Sequence, residues 1–396
     1  MTDHPVVRLR PKINPRRIRH GFPWVYANEL VVDRRTKNLT PGTLARLEDA
    51  ERKPLALVTV NPGSKIIARV MDQDPEADVS RPWIERRLQA ALALRERLFD
   101  APYYRLVHAE ADGFPGVIID RFGDVAVIQP NAAWAEVHVQ DLTEAVAAVT
   151  GVTTLLKSAS GRSRTLEGLD DQDAVLRGTA PDAPIPVPMN GAIYMADVTG
   201  GQKTGLFYDQ RPNHAFLATL AKGATVLDVF SHVGGFGLAA LAGGAQTALA
   251  VDGSQNALDL AAEGAARMGV ADRFETRKSD AFDALTALHS ESRRFDLVVC
   301  DPPAFSPTKA ALDAGLRAYE RIARLAAPLV APGGVLALCS CSHAAGLDAF
   351  RAASVRGIGR AGRNGRLIHQ GFAGPDHPLM PQLAESGYLK ALFFAL

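Results

Sequence analysis

Residues 226–237 have the sequence VLDVFSHVGGFG, which is typical of a buried strand followed by a glycine-rich turn and the start of a helix. A second apolar run, at residues 248–251, ends on Asp252, about 20 residues further along the chain. In a doubly wound α/β fold, a carboxylate at this place binds the hydroxyls of a ribose. From Thr204 onward strands and helices mostly alternate, which predicts a parallel sheet with helices on both faces. These patterns indicate a nucleoside-cofactor fold.

The glycine-rich turn also indicates which cofactor to expect. Glycine lets the backbone come close to a ligand, so we expect the cofactor to lie against the residues at and before this turn. They are Asp228, Phe230, Ser231, Gly234 and Gly235. The turn does not contain the pattern G-x-G-x-x-G, which disfavours a nicotinamide dinucleotide and favours S-adenosylmethionine. A tight turn without any ligand explains the glycines equally well.

Two further strand ends carry acidic residues. Asp252 ends a buried strand at the carboxyl edge of the sheet, where open α/β sheets bind their ligands. Ser254 follows it and is expected in the same site. Asp280 and the small residue Ala281 would suit the edge and the face of an adenine. Asp280 could also cap a helix that begins at Ala281, and capping is the better explanation of Asp280 on its own.

The apolar run at residues 297–300 ends in the sequence DPPAF, residues 301–305. Two consecutive prolines stiffen the strand exit, which fixes Asp301 toward the crevice. During base methylation such an edge can hold the amino group and the ring nitrogen of a flipped base. Pro303 is expected beside the cofactor. A rigid turn between a strand and a helix would explain the prolines, but not the acid before them.

Cysteine chemistry decides the reaction type. Carbon 5 of cytosine is a poor nucleophile, whereas a thiolate that adds to carbon 6 turns the ring into an enamine that can attack a sulfonium methyl group. Residues 339–343 have the sequence CSCSH, just past an apolar strand. Buried cysteines usually only pack, which we expect of Cys300 and Cys339. Cys341 is the better nucleophile, but strand alternation puts it on the same side as Cys339, so the pattern leaves both thiols open.

The composition restricts the class of protein. The chain has 396 residues, of which 47% are hydrophobic and 22% charged, so it is globular with room for two or three domains. It shows neither a run of membrane-spanning length nor an apolar signal core, and we expect a soluble cytoplasmic protein. Three cysteines are too few for a disulfide framework. Cys339 and Cys341 are not spaced as paired zinc ligands, so no metal is expected.

The first 200 residues read as two modules. Short β segments separated by turns continue to about Asp72 and predict a small β barrel. Residues 81–99 have helical spacing and predict an amphipathic linker helix. Strands and turns then alternate around a helix at residues 133–149, followed by a proline-rich connector at residues 179–187. We therefore predict three domains, at residues 1–75, 76–187 and 188–396.

The loop at residues 200–213, GGQKTGLFYDQRPN, is dense in polar groups. We interpret it as a loop that closes over the cofactor, with contacts from Lys203 and Thr204. The alternative is a helix N-terminus with Asp209 and Arg211 paired. The phosphate-loop spacing G-x-x-x-x-G-K-S/T is absent, so nucleotide hydrolysis is rejected.

Several long motifs, in order, resemble the PUA-domain-containing class I methyltransferases that make 5-methylcytosine in large-subunit ribosomal RNA. The resemblance spans nearly the whole chain. It is carried by HGFPWVYANEL, NPGSKIIAR, EADGFPGVIIDRFGD, GGQKTGLFYDQRPN, VLDVFSHVGGFG, DPPAF, CSCSH and DHPLMPQLAESGYLK.

This resemblance implies an α/β chain with an N-terminal PUA barrel, a central α+β domain and a C-terminal Rossmann-like methyltransferase domain. It further implies S-adenosylmethionine as cofactor, Cys341 as nucleophile and Asp301 as the group that steadies the base. The expected partner is large-subunit rRNA or an assembling subunit, and a homodimer is one expected state. Basic residues of the barrel would hold RNA phosphates, namely Arg16, Arg17, Arg19, Lys65 and Arg69.

Two rival functions stay open from the sequence. One is a methyltransferase that acts on another RNA base or on a protein without covalent catalysis, and its activity would survive loss of both Cys339 and Cys341. The other is a non-catalytic RNA-binding ribosome-assembly factor, which would bind RNA but not the cofactor. Intact acids at Asp252 and Asp301 argue against the second rival.

Overall fold

The computed structural model of the chain describes residues 4–200 and 204–396, and the chain divides into two compact units. Unit 1 takes its described residues from Met1–Asp182, Val198–Gly205 and Pro375–Ala384, and unit 2 from Ala183–Asp197, Leu206–Gly374 and Glu385–Leu396. The chain therefore returns to unit 1 twice after first leaving it. Lys203, predicted to contact the cofactor, lies outside the described residues. The boundaries of the three predicted domains stay predictions.

The N-terminal part of unit 1 is built on a five-stranded sheet in the order β1-β3-β4-β5-β2. Alternating apolar residues of the long strands, such as Ala45, Leu47, Val58 and Val60, are buried and form its core. The strands are β1 (Val6–Arg8), β2 (Trp24–Val25), β3 (Thr43–Glu48), β4 (Pro54–Val60) and β5 (Ala68–Asp72), and the short helices are α1 (Arg16–Arg19) and α2 (Arg34–Lys37).

A second five-stranded sheet follows in unit 1, in the order β10-β9-β8-β7-β6. Trp83, Phe114 and Trp134 are buried in its core, where Trp83 makes edge contacts with the other two rings. The predicted helix at 133–149 is broken at His138, whose backbone leaves the helical region at φ −101° and ψ 19°. The elements are α3 (Arg81–Leu98), β6 (Tyr103–His108), β7 (Val117–Phe122), β8 (Val125–Pro130), α4 (Ala133–Val137), α5 (Val139–Thr150), β9 (Thr154–Lys157), α6 (Arg162–Glu167) and β10 (Ala174–Arg177).

Unit 2 begins with a hairpin and continues as alternating helices and strands. The hairpin is β11 (Ile185–Met189) and β12 (Ala192–Ala196). The remaining elements are α7 (Arg211–Thr219), β13 (Thr225–Val229), α8 (Gly235–Ala242), β14 (Thr247–Asp252), α9 (Gln255–Arg267), β15 (Phe274–Lys278), α10 (Ala281–Ser290), β16 (Phe295–Cys300), α11 (Leu312–Ala326), β17 (Val330–Ser340), α12 (Leu347–Arg360), β18 (Arg366–Gly371) and β19 (Lys390–Ala395).

These strands form a seven-stranded sheet in the order β15-β14-β13-β16-β17-β19-β18. The first five strands are parallel, and β19 runs antiparallel to both of its neighbours. Apolar residues of the central strands, such as Leu227, Val298 and Leu336, are fully buried because helices cover the sheet. The predicted α/β class is confirmed.

Two stretches of unit 2 are β structure despite their proline and glycine content, and for the first of them the prediction of a connector was wrong. The connector at 179–187 contains the start of β11, which tolerates Pro186 because it pairs only with β12 and leaves one edge open. The segment Pro332-Gly333-Gly334 lies inside β17. Gly333 adopts φ +79°, and a Cβ on Gly334 would lie 2.5 Å from the carbonyl oxygen of Asp296, so the strand needs glycine at its irregular start.

No helix among residues 4–200 and 204–396 combines the length and the apolar character that crossing a membrane requires.

Candidate active site

The carboxyl ends of the parallel strands in unit 2 bring the predicted site residues to one edge of the sheet. The register places Val229 of β13 beside Val251 of β14 on one side and Cys300 of β16 on the other. Cys300 is in turn beside Leu338 of β17. The residues that follow these strands therefore emerge next to one another, which is where open α/β sheets bind ligands.

The turn after β13 is held in an uncommon backbone conformation. Phe230 and His232 have φ angles of +63° and +48°, although neither is a glycine. Such residues are costly and concentrate at functional sites. Gly234 adopts φ +79°, and a Cβ on Gly235 would lie only 2.8 Å from Nε2 of His214. The turn therefore needs glycine at one position for its backbone angle and at the other for a close approach.

A cavity of about 40 Å³ lies beside this turn. Four buried polar atoms among its lining residues have no hydrogen-bond partner in the described chain: Gln210 Nε2, His214 Nδ1, Asp228 Oδ1 and Ser231 Oγ. Buried polar atoms are nearly always satisfied, so such a group indicates a ligand site. The cavity is lined by Leu206, Phe207, Gln210, His214, Asp228, Phe230, Ser231, His232, Val233, Gly235, Phe236 and Asp301.

Asp228 connects the first turn of α8 to the cavity. Its Oδ2 accepts hydrogen bonds from the amides of Phe236 at 3.1 Å and Gly237 at 2.8 Å, while Oδ1 is left without a partner. Burial raises the pKa of Asp228 to about 7, and the two amides oppose this rise. An ammonium group of a ligand would favour its ionised form.

Asp252 and Ser254 together shape the loop after β14. Asp252 accepts hydrogen bonds from the backbone amides of His232 at 2.9 Å and Ser254 at 2.8 Å, one on each carboxylate oxygen. Each oxygen retains a second acceptor site for a ligand hydroxyl. The hydroxyl of Ser254 accepts from the amide of Ala257 and caps α9. Asp252 therefore joins the ends of two adjacent strands.

Asp280 is the cap of α10. Its Oδ1 accepts from the amides of Phe282 at 2.8 Å and Asp283 at 3.2 Å, while Ala281 is buried below it. The capping interpretation is thus confirmed, and its contact with an adenine stays a prediction. Pro303 is exposed at the same edge of the sheet.

Thr204 has a structural partner in unit 1. Its buried hydroxyl donates to Oδ2 of Asp120 at 2.6 Å, and Arg105 holds the same carboxylate through two hydrogen bonds. This bond occupies the hydroxyl proton of Thr204, so its predicted contact with the cofactor stays a prediction.

Asp301 follows β16 and is partly buried. Burial raises its pKa to about 8, and the negative charge of Asp209 adds to the rise. At neutral pH this carboxyl group is therefore mainly protonated, so that it can donate one hydrogen bond and accept another.

Cys341 lies between two serines, Ser340 and Ser342, whose side chains form hydrogen bonds with the same tyrosine. The hydroxyl of Tyr319 accepts from Ser340 at 2.9 Å and bonds to Ser342 at 2.8 Å, and Ser342 accepts the amide of Ser306. Cys341 is only partly buried, and its Sγ donates to the carbonyl oxygen of Pro302 at 3.9 Å. These hydrogen bonds fix the segment from Ser340 to Ser342, so that the thiol of Cys341 lies beside Pro302, the residue that follows Asp301.

The other two cysteines are buried in the sheet. Burial raises the pKa of Cys300 and that of Cys339 well above the usual value of a thiol, and the charge of Asp301 adds to the rise of both. A thiol with a raised pKa is a poor source of thiolate. The structure therefore separates Cys341 from Cys339, which the sequence pattern alone did not.

The basic residues predicted to bind RNA fall into two groups, both in unit 1. Arg16 and Lys65 are exposed and form no salt bridge with any described residue. Arg17, Arg19 and Arg69 pair with acidic side chains, and those partners are Glu29, Asp49, Glu110 and Glu167. An acidic partner reduces the charge that a phosphate would meet.

Sequence analysis missed two side chains at this edge of unit 2. Gln210 lies in the loop at residues 200–213, but no role was predicted for it. The structure places its buried amide in the cavity. Lys390 is buried at the start of β19, and its Nζ donates to the carbonyl oxygen of Ser342 at 2.7 Å. The signal for Lys390 was a charged residue directly before the apolar run ALFFA.

Comparisons with known proteins agree with this geometry. A family model for S-adenosylmethionine-dependent methyltransferases matches residues 150–395, and a model for the PUA-like domain matches residues 7–73. The chain is 35% identical over 379 residues to Ribosomal RNA large subunit methyltransferase I of Alteromonas mediterranea, covering 95% of each chain.

Two solved structures share the fold at 18% identity and a TM-score of 0.83 each. One is a SAM-dependent methyltransferase from Streptococcus mutans, with 99% of this chain and 100% of that chain covered. The other is described as a methyltransferase complexed with SAH, with 99% of each chain covered. The unpartnered carboxylate oxygen, hydroxyl and amide nitrogen of the cavity in unit 2 fit the amino acid portion of S-adenosylmethionine, and Asp252 fits its ribose.

The fold, the cavity and the matched models lead to one conclusion: this chain belongs to the S-adenosylmethionine-dependent methyltransferase family, carries a PUA-like domain at its N-terminus and uses S-adenosylmethionine as its cofactor.

Proposed function

We propose that the protein methylates carbon 5 of a cytosine in large-subunit ribosomal RNA through a transient bond between Cys341 and carbon 6 of the base. The curated relative named above supports the RNA substrate by its name. The observation that carries the covalent mechanism is the position of Cys341, whose Sγ lies 3.9 Å from the carbonyl oxygen of Pro302, directly after Asp301. A partly exposed thiol and a protonated carboxyl group thus share one edge of the sheet.

Asp301 matches the Watson–Crick edge of cytosine. A carboxylic acid has one O–H donor and one carbonyl acceptor. Cytosine offers a ring nitrogen, N3, that accepts and an amino group that donates, so both bonds form only while Asp301 keeps its proton. With a pKa raised to about 8, Asp301 keeps that proton at neutral pH. Its hydrogen bond to N3 also stabilises the negative charge that reaches N3 when sulfur adds to the ring.

In the covalent step, the thiolate of Cys341 forms a bond to carbon 6, and the electrons of the carbon 5–carbon 6 double bond move into the ring toward N3. When bound, S-adenosylmethionine supplies a methyl group on a positively charged sulfur. Carbon 5 would form a bond to that methyl group as the bond between the methyl carbon and the cofactor sulfur breaks, so that S-adenosylhomocysteine leaves with the electron pair. A base then removes the proton from carbon 5. The double bond re-forms as the bond between carbon 6 and sulfur breaks, which returns Cys341 as a thiolate.

The N-terminal sheet would supply affinity for RNA. Arg16 and Lys65 are exposed cations without acidic partners among the described residues, so they are the best placed of the predicted residues to contact phosphates. Phosphate contacts position a nucleic acid but do not choose a base, so base choice is left to Asp301 and its surroundings.

The test is a trapping experiment with large-subunit rRNA that contains 5-fluorocytosine. Fluorine at carbon 5 cannot leave as a proton does, so the bond between Cys341 and carbon 6 should survive denaturation. We expect the adduct in the wild type and in Cys339→Ala, and no adduct in Cys341→Ala, which should retain S-adenosylmethionine binding. Cys339 is the matched control because it lies two residues away and is buried.

Two results would contradict the proposal. Methylation of ordinary rRNA by Cys341→Ala would indicate a non-covalent methyltransferase. RNA binding by the wild type with no affinity for S-adenosylmethionine would indicate an assembly factor without catalysis.

A further inference from the structure

Lys390 is a buried cation that the mechanism above does not use. It is the first residue of β19, where it pairs in register with Ser340 of β17. Only 4% of the residue is exposed. Its ammonium group donates one hydrogen bond, to the carbonyl oxygen of Ser342 at 2.7 Å. Within the described part of the chain, no carboxylate lies within salt-bridge distance of its Nζ.

A buried ammonium group without a carboxylate partner is unfavourable and calls for an explanation. One carbonyl oxygen satisfies only one of its three donors. The bond to Ser342 carries Nζ past the strand end, to the residue that directly follows Cys341. Burial lowers the pKa of Lys390 to about 8, and the charge of Cys341 opposes this fall.

We propose that Lys390 is a positioning residue that holds Cys341 in its thiolate form before the RNA base arrives. This inference rests on the proposed function, because it takes Cys341 as the nucleophile. The proton that leaves sulfur passes to the amine of Lys390 or to solvent, which leaves an ammonium beside a thiolate. The pair carries no net charge, so it is less costly to bury than either ion alone.

Pro302, Tyr319 and Asp301, three of the described residues in this region, supply no positive charge to Cys341. Pro302 contributes a carbonyl oxygen, which stabilises the thiol rather than the thiolate. Tyr319 on α11 is committed to two serine hydroxyls, and Asp301 after β16 is mainly protonated at neutral pH. His343, in the same segment as Cys341, is exposed. Lys390 is therefore a buried cation that can favour the thiolate.

The test measures the thiol directly and does not need RNA or methyl transfer. Iodoacetamide reacts with thiolates, so its rate at Cys341, followed by mass spectrometry across pH, gives the midpoint of ionisation. We expect Lys390→Met to shift that midpoint upward by about 1 unit or more, which lowers the alkylation rate near neutral pH about tenfold. Lys390→Arg, which keeps the charge, should restore most of the rate.

Lys222→Met is the matched control, because Lys222 is exposed and precedes β13 at the opposite end of that strand. It should leave the midpoint unchanged. An identical midpoint in Lys390→Met and in the wild type would overturn the inference. The proposed function would then still be supported by the 5-fluorocytosine adduct. That adduct does not form if Cys341 is not the nucleophile, so the two proposals can be rejected separately.

A second measurement leaves Lys390 unchanged, so it does not depend on whether the Lys390 variants fold. In Cys341→Ser the thiolate is lost and the lysine stays, so the pKa of Lys390, followed by NMR of its isotopically labelled side chain, should fall relative to the wild type. An unchanged lysine pKa would also overturn the inference.

Discussion

Arg69 lies 3.0 Å from Glu167, and both side chains are almost completely buried in unit 1. A second carboxylate, that of Glu110, lies 2.9 Å from the same guanidinium group. Asn61 and Ser64 add hydrogen bonds to Glu167. A cation that is shared by two buried acids has little charge left for a phosphate, so Arg69 is better explained as a link between β5 and α6.

Replacing Arg69 by methionine should therefore cost stability. The substitution leaves Glu167 and Glu110 buried without their cation, and breaking such a buried pair costs about 3 kcal/mol. Urea unfolding of Arg69→Met measures the loss. Arg81→Met is the control, because Arg81 pairs with Glu85 on the surface and should change the free energy of unfolding by less than about 0.5 kcal/mol. Equal stability of both variants would contradict this role of Arg69.

Arg16 and Lys65 should affect RNA binding without affecting stability. Both are exposed and lack acidic partners among the described residues. Each phosphate contact that is lost should reduce the slope of log affinity against log salt concentration by about 0.7 to 0.9. Binding of large-subunit rRNA fragments to Arg16→Ala and Lys65→Ala over a salt series gives this slope. A slope equal to that of the wild type would show that these cations do not contact phosphates.

Asp301 should make the protein less stable as pH rises. The folded protein keeps the Asp301 proton up to about pH 8, whereas an unfolded aspartate loses it near its ordinary pKa of 3.8. The folded state therefore binds more protons between these values, and the free energy of unfolding falls as pH rises through that window. Asp301→Asn should gain stability over the wild type at about pH 8 but not at about pH 4.

Thermal melts of both proteins across this range provide the measurement. The same variant should lose cytosine methylation, because an amide cannot give a proton to N3. A stability difference that does not change with pH would contradict the raised pKa of Asp301.

Asp252 should be needed for cofactor affinity. Asp252→Asn keeps an acceptor oxygen but loses the charge and one of two acceptors, so we expect S-adenosylmethionine binding to weaken about tenfold or more. Calorimetric titration measures the change. Asp259→Asn is the control, because Asp259 is an exposed acid on α9 that bonds only Gln255. Unchanged affinity in Asp252→Asn would exclude a contact with the ribose.

The sequence predicted best those features that are encoded locally. Apolar runs that end on Asp252 and Asp301 located the ends of β14 and β16, the two strands that flank β13, because these strands are buried on both faces and an acid follows the apolar run of each. The cap at Asp280 was likewise visible in a few residues. Such patterns depend on neighbours in the chain, and a single sequence contains them in full.

Features that depend on distant residues could not be found in the same way. The choice between Cys339 and Cys341 required the end of β17 at Ser340 and the burial of Cys339, both of which tertiary packing sets. Lys390 comes near Cys341 only through antiparallel pairing across 48 intervening residues of chain. The acidic partners of Arg69 are also remote in sequence, which is why charge alone suggested a phosphate contact.

The return of the chain to unit 1 at Pro375–Ala384 has a consequence for biosynthesis. Arg95, which is fully buried, bonds the carbonyl oxygen of Asp376, and the amide of Arg105 bonds the Asp376 carboxylate. These partners are translated about 270 to 280 residues after the arginines that need them. A nascent chain therefore cannot complete the first of its two units until almost all of the second has been translated, so the final folding of both units should nearly coincide.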